Sequence, residues 1–197
     1  MKPTIKRAIR FAQVSVLLSA LPLSAHALQY TAVPLGTLGG LFSYANGINN
    51  IGQVVGYSYT TGDAEQHAFI SAPNPTGAGQ LTDLGTLGGT YSEARGINDS
   101  GQVVGLANTT DDAAEHAFLY EAGIMMDLND LLMVGLDGDA FLYYATDIND
   151  SGQIVANGSD ARAYLLTPVA APVPVPAAAW LMVSALVGLG AASRRRV

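Results

Sequence analysis

The segment GINDSGQVVG at residues 96–105 occurs earlier as GINNIGQVVG at 47–56 and later as DINDSGQIVA at 147–156. Isoleucine and asparagine on one side, a polar turn with glycine, and a valine-rich pair on the other read as two short strands joined by a tight turn. In the middle copy Asp99 and Ser100 suit a type I turn, and Gly101 is free to take the positive φ of a bulged three-residue loop. Asn98 can accept from the turn backbone through its side-chain oxygen. Asn149 and Gly152 repeat the arrangement, and Asn49 and Gly52 keep it around Asn50 and Ile51. Asn49, Gly52, Asn98, Gly101, Asn149 and Gly152 are therefore the structural turn positions on which the fold is expected to rest.

Working outward, each hairpin is followed by a polar, acidic loop and a short apolar strand: HAFIS at 67–71, HAFLY at 116–120 and RAYLL at 162–166. Upstream lies LGTLGG, at 35–40 and 84–89, replaced by LLMVGLDG at 131–138. Gly52 to Gly101 and His67 to His116 are both 49 residues, whereas His116 to Arg162 is 46, so the third copy has drifted. Self-similarity at this period, with several strands per unit, marks a propeller-type or similar repeat architecture. Placing one strand ahead of each glycine-rich link (28–33, 80–84 and 124–128) predicts an all-β chain of three four-stranded units, at about 28–75, 76–122 and 123–168. Propellers use four to eight blades. Three propeller-blade-like units are thus expected as an open arc whose exposed edges favour a homodimer, with a compact β-trefoil-like closure as the alternative.

The flanks differ in texture. Residues 1–27 carry Lys2, Lys6, Arg7 and Arg10, an apolar run from Val14 to Leu23, and Ala25-His26-Ala27. This is the pattern of a signal peptide cleaved after Ala27. Residues 169–176 form a proline-rich linker, extended and unsuited to a sheet. Residues 177–192 are free of charge and precede Ser193 and Arg194, Arg195 and Arg196. A helix of that length spans about 24 Å, short of the ~30 Å hydrocarbon core, so it crosses with local thinning or with Ser193 and the arginine stems contributing. On that reading 177–197 is expected to be a single transmembrane helix with its arginines on the cytoplasmic side.

Charge narrows the function classes. Residues 28–168 hold two basic residues, Arg95 and Arg162, against all sixteen acidic ones, a net charge of −14. Nucleic acid is excluded as a partner because nothing is present to neutralise phosphates. The chain has no cysteine, which removes thiolate zinc sites and cysteine nucleophiles and leaves strand pairing and core packing to hold an exported domain together. His67 and His116 head the HAF strands, but Arg162 takes that place in the third copy, and they read as structural histidines bonded to backbone. Asp99 and Asp150 sit in turns, and Asp111, Asp112 and Glu115 in a polar loop; none stands out as catalytic. Asp137 and Asp139, with Asp147 and Asp150 downstream, are weak calcium candidates without a complete calcium loop. No cofactor is expected, although millimolar calcium is expected to stabilise so acidic a domain.

The recurring GIN-x-x-GQVVG followed by HAF resembles the HAF-family extracellular repeat over about 140 residues, 28–168. Val173-Pro174-Val175-Pro176-Ala177-Ala178-Ala179-Trp180-Leu181, with the apolar stretch and Arg194, Arg195 and Arg196, resembles the PEP-CTERM sorting signal, with Val175 where the commonest form has glutamate. The sorting residues are then Val173, Pro174, Pro176, Trp180 and the three arginines. The resemblance implies recognition by exosortase, a membrane protease-transpeptidase, after an inner-membrane intermediate. The implied destination is the cell envelope, cell surface or extracellular (biofilm) matrix of a Gram-negative bacterium. The repeat family carries no established reaction, so the expected function is that of a non-enzymatic surface or matrix protein. A module binding extracellular polysaccharide is the first alternative and a secreted hydrolase the second.

Overall fold

The computed structural model describes residues 28–169. The expected leader with Ala25 and Ala27, the sorting residues Val173, Pro174, Pro176 and Trp180, the apolar segment 177–197 and its arginines lie outside the described residues. The chain divides into two units, Met1–Ala32 and Val33–Val197. Of the first, residues 28–32 are described and form no strand.

In the second unit, β1 (Gly39–Ile48) turns back into β2 (Val54–Thr60), and β3 (Gln66–Ser71) and the short β4 (Leu81–Asp83) continue an antiparallel meander. β5 (Gly88–Ile97), β6 (Val103–Thr109), β7 (Glu115–Glu121) and β8 (Ile124–Asp127) repeat that order. β9 (Leu142–Ile148), β10 (Ile154–Gly158) and β11 (Ala163–Leu166) form a separate three-stranded sheet. The first eight strands make one open sheet, joined where β5 meets β3 in parallel at Gln66 and Tyr91 while β4 takes the other end of the same edge. Among the described residues there is no α-helix; two 3-10 turns, Thr61–Asp63 and Thr110–Asp112, follow β2 and β6.

Two expectations are corrected. The strand predicted at 28–33 is not formed. The strands predicted at 80–84 and 124–128 exist, but they pair with β3 and β7 and so close the preceding meander rather than open the next. Boundaries at 75 and 122 therefore cut through meanders, and the third hairpin carries three strands instead of four.

Burial explains why valine-rich strands of one pattern behave differently. β6 is buried along Val103, Val104, Gly105, Leu106 and Ala107, on both faces, because Val103 joins the core shared with the first meander and Val104 the core shared with the third sheet. β2 is buried at Val55, Gly56 and Ser58 and only partly covered elsewhere, while β10 alternates, with Val155 exposed between buried Ile154 and Ala156. One core joins Val55 and Ala68 to Ala94, Ile97, Val103 and Phe118. The other joins Val104 and Ala117 to Leu142, Ala145, Ile148 and Ile154. Phe69 and Phe118 are fully buried at matching places, each contributing about 1.5–3 kcal/mol. Gly56 and Gly105 are fixed by bulges at Ala45/Gly47 and Ala94/Gly96. The bulged strand pushes a carbonyl inward, and a Cβ on either glycine would lie 1.8 or 1.9 Å from the oxygen of Tyr44 or Glu93.

Candidate functional site: a ladder of asparagine turns

The three hairpin turns share one local design. Gly52, Gly101 and Gly152 hold φ of 75°, 79° and 74°, and each donates its N–H to the asparagine carbonyl three residues back, at 3.1, 3.0 and 2.9 Å. The asparagine Oδ1 accepts from the N–H of Gln53, Gln102 or Gln153 at 2.9–3.0 Å. Its Nδ2 donates to the side-chain oxygen of the same glutamine at 2.9, 2.6 and 2.9 Å. The glutamines were not singled out from sequence, although each copy reads N-x-x-G-Q and the signal was available.

The turns also bond to one another. Asn49 Nδ2 donates to the carbonyl of Asn98 at 3.0 Å, and Asn98 Nδ2 to that of Asn149 at 3.1 Å. One residue on, the N–H of Asn50 donates to Asp99 Oδ1 at 2.9 Å and its amide to Asp99 Oδ2 at 2.8 Å, while the N–H of Asp99 reaches Asp150 Oδ1 at 2.9 Å. The six predicted turn residues are thus brought into one ladder, beside a shallow cleft of about 310 Å³ bordered by Asn50, Asp99, Asp147 and Asp150. Chemically the ladder consumes its own polarity. Each inner carboxylate accepts from backbone or amide donors of the turn before it, which suits cohesion between strands rather than proton transfer.

His67 and His116 bond to side chains, not to backbone. His67 Nδ1 lies 2.8 Å from Asp83 Oδ2 and its Nε2 3.0 Å from Glu65, the latter too poorly aligned for a hydrogen bond. His116 Nδ1 lies 2.6 Å from Asp127, with its ring tilted on Phe141. Each pair pins a short strand, β4 or β8, to the HAF strand beside it. Sequence reasoning missed Asp83 and Asp127 because they lie 16 and 11 residues from their histidines, so the 49-residue offset does not connect them.

The remaining candidates lie apart. Asp137 is exposed and faces Arg162 at 3.6 Å, and Arg162 is equally close to Asp160. Tyr164's hydroxyl, bonded to Asp160 at 2.6 Å, holds that carboxyl below its ordinary range. Asp139 is exposed in the same loop. Among the described residues no group of three or more histidine, aspartate or glutamate side chains is placed to hold a metal ion. Burial and a hydrogen bond to Glu93 push the Tyr91 phenol up, so it stays neutral. An apolar groove of about 510 Å³ runs between Leu119, Leu132, Leu136, Ile154 and Leu166. No protein-family model, curated protein or solved structure matches the chain.

Proposed function

We propose that the chain is an exported, non-enzymatic β-repeat protein of the cell surface or extracellular matrix, handed by its C-terminal segment to an exosortase-type membrane protease. The observation that carries the non-enzymatic reading is the turn ladder: the polar residues repeated in every copy bond to one another across successive hairpins. Such self-satisfied networks rigidify a scaffold. The meander order of the strands and the packing of β5 across β2 and of β9 across β6 support propeller-blade-like modules in an open arc over a β-trefoil-like closure. The address rests on the leader and on Val173, Pro174, Pro176, Trp180 and the terminal arginines.

The test is to express the full-length chain in an exosortase-bearing Gram-negative host and in the same host lacking the protease. Mass spectrometry of the surface fraction should show loss of the C-terminal segment only when the protease is present. Pro174→Ala with Pro176→Ala should leave the uncut chain in the inner membrane. An intact C-terminus at the surface in both hosts overturns the reading.

A second reading, binding of matrix polysaccharide, is favoured by the aromatic side chains of the first hairpin. Tyr44 stacks on Tyr57 with centroids 4.8 Å apart, Phe42 meets Tyr59 edge-on at 6.1 Å, and Phe42 and Tyr44 are about half exposed. Exposed rings present flat apolar faces on which the C–H faces of sugar rings pack. Co-sedimentation with the host's polysaccharide, lost in Tyr44→Ala, would establish it; no sedimentation of the unaltered chain would remove it.

A further inference from the structure

We propose that a second copy of this chain seats its β1 face on the β10–β11 face of the first, continuing between molecules the packing that already occurs twice within one. Inside the chain, Val55 and Ala68 of the first meander pack against Ala94 and Ile97 of the second, and Val104 and Ala117 of the second against Ala145 and Ile148 of the third. The end copies keep the same residue types, and no described residue covers them. Ile48 is 68% exposed where Ile97 and Ile148 are 7% and 5%, and Ala45 is open where Ala94 and Ala145 are buried. At the other end Val155 is 43% exposed where Val55 and Val104 are fully buried, and Ala163 and Leu165 stand open beside it. One end is missing the surface that the other end carries.

The ladder is complementary in the same sense. Each turn donates to the one after it, so Asn149 Nδ2 and the N–H of Asp150 form the donating end, and the carbonyl of Asn49 with Asn50 Oδ1 the accepting end. Asn50 is neutral where the other copies have aspartate, so Asp150 would meet an amide rather than a third carboxylate. Residues 39–50 carry no charge at all. Asp147 opposes tight seating. It replaces Gly47 and Gly96, where the next meander approaches so closely that a Cβ would lie 2.9 Å from the Arg95 oxygen or 2.7 Å from the Asp147 Cα. The contact is therefore weak and reversible in the native chain, and being head-to-tail it builds a ring or a row of copies rather than a two-fold dimer.

The chain lacks cysteine, which permits a direct test on the full-length protein in mild detergent. Chains carrying Asn50→Cys are mixed with chains carrying Asp150→Cys under oxidising conditions, and the disulfides are identified by mass spectrometry. The ratio of the 50–150 adduct to the two homo-adducts combined should exceed its statistical value by about tenfold, the factor that ~1.4 kcal/mol of preferential association gives. Ile48→Asp in the first chain should return the ratio to statistical, and Asp147→Gly in the second should raise it. Both positions are exposed, so neither variant disturbs the core. A statistical mixture, or no linkage, with both the native and the Asp147→Gly tail overturns the proposal.

Discussion

Asn98 uses its whole side chain. Its Oδ1 accepts from Ser100 and Gln102, and its Nδ2 donates to Gln102 and to Asn149 of the next turn, at a site only 3% exposed. Alanine there would leave buried backbone groups without partners, which costs about 2–3 kcal/mol. Asn149 makes the same local bonds but is exposed and has no later turn to reach. Asn149→Ala should therefore cost less than about 1 kcal/mol, since water replaces what is lost. Urea unfolding of the two variants checks the difference, and equal losses would mean that the ladder contributes nothing beyond each turn. The local half of this site was legible because turn chemistry acts over two to four residues and leaves asparagine, glycine and glutamine at fixed spacing. The ladder was not, since its bonds join residues 49 and 51 apart and depend on how the hairpins stack.

At the scale of an element, β5 begins where Asp112 fixes it. The carboxylate accepts from the Thr90 N–H at 2.7 Å, the Thr90 hydroxyl at 2.8 Å and the Asn108 amide at 3.0 Å. Asp63 accepts from the Leu41 N–H in the same way. The hydrogen bonds from Thr90 and Asn108 hold the Asp112 carboxyl below its ordinary pKa of 3.8. A carboxyl depressed on folding adds stability that is complete above its unfolded pKa and disappears as pH falls through the folded one. Asp112→Asn should thus melt earlier than the native chain at pH 7, and the gap in thermal midpoint should close as pH falls below about 3.8. A gap of constant size from pH 7 to 2 would assign the loss to shape rather than charge. Strand existence was readable here from valine, glycine and the HAF pattern. The grouping of strands was not: β4 and β8 look like openings because they precede glycine-rich links, yet Asp83 and Asp127 bind them backward to His67 and His116.

For the whole molecule, the deciding quantity is the net charge of −14 over residues 28–168. The two cations are already engaged: Arg95 lies 3.3 Å from Glu93 and stacks 4.5 Å over the ring of Tyr144, and Arg162 faces Asp137 and Asp160. The acidic residues left over repel one another across the surface, and that repulsion is screened once the Debye length falls to about 10 Å near 0.1 M salt. Sodium chloride should therefore raise the thermal midpoint. Calcium could act through the same screening or through a site at Asp137 and Asp139, and the two differ in saturation. Screening follows ionic strength and survives Asp137→Asn with Asp139→Asn, whereas a site saturates and is lost with those carboxylates. Because Asp137 already faces Arg162 and no three acidic or histidine groups among the described residues are placed to hold a metal ion, calcium should shift the midpoint only as far as sodium chloride of equal ionic strength. A larger, saturable shift that the double variant abolishes would show that this loop closes around the ion.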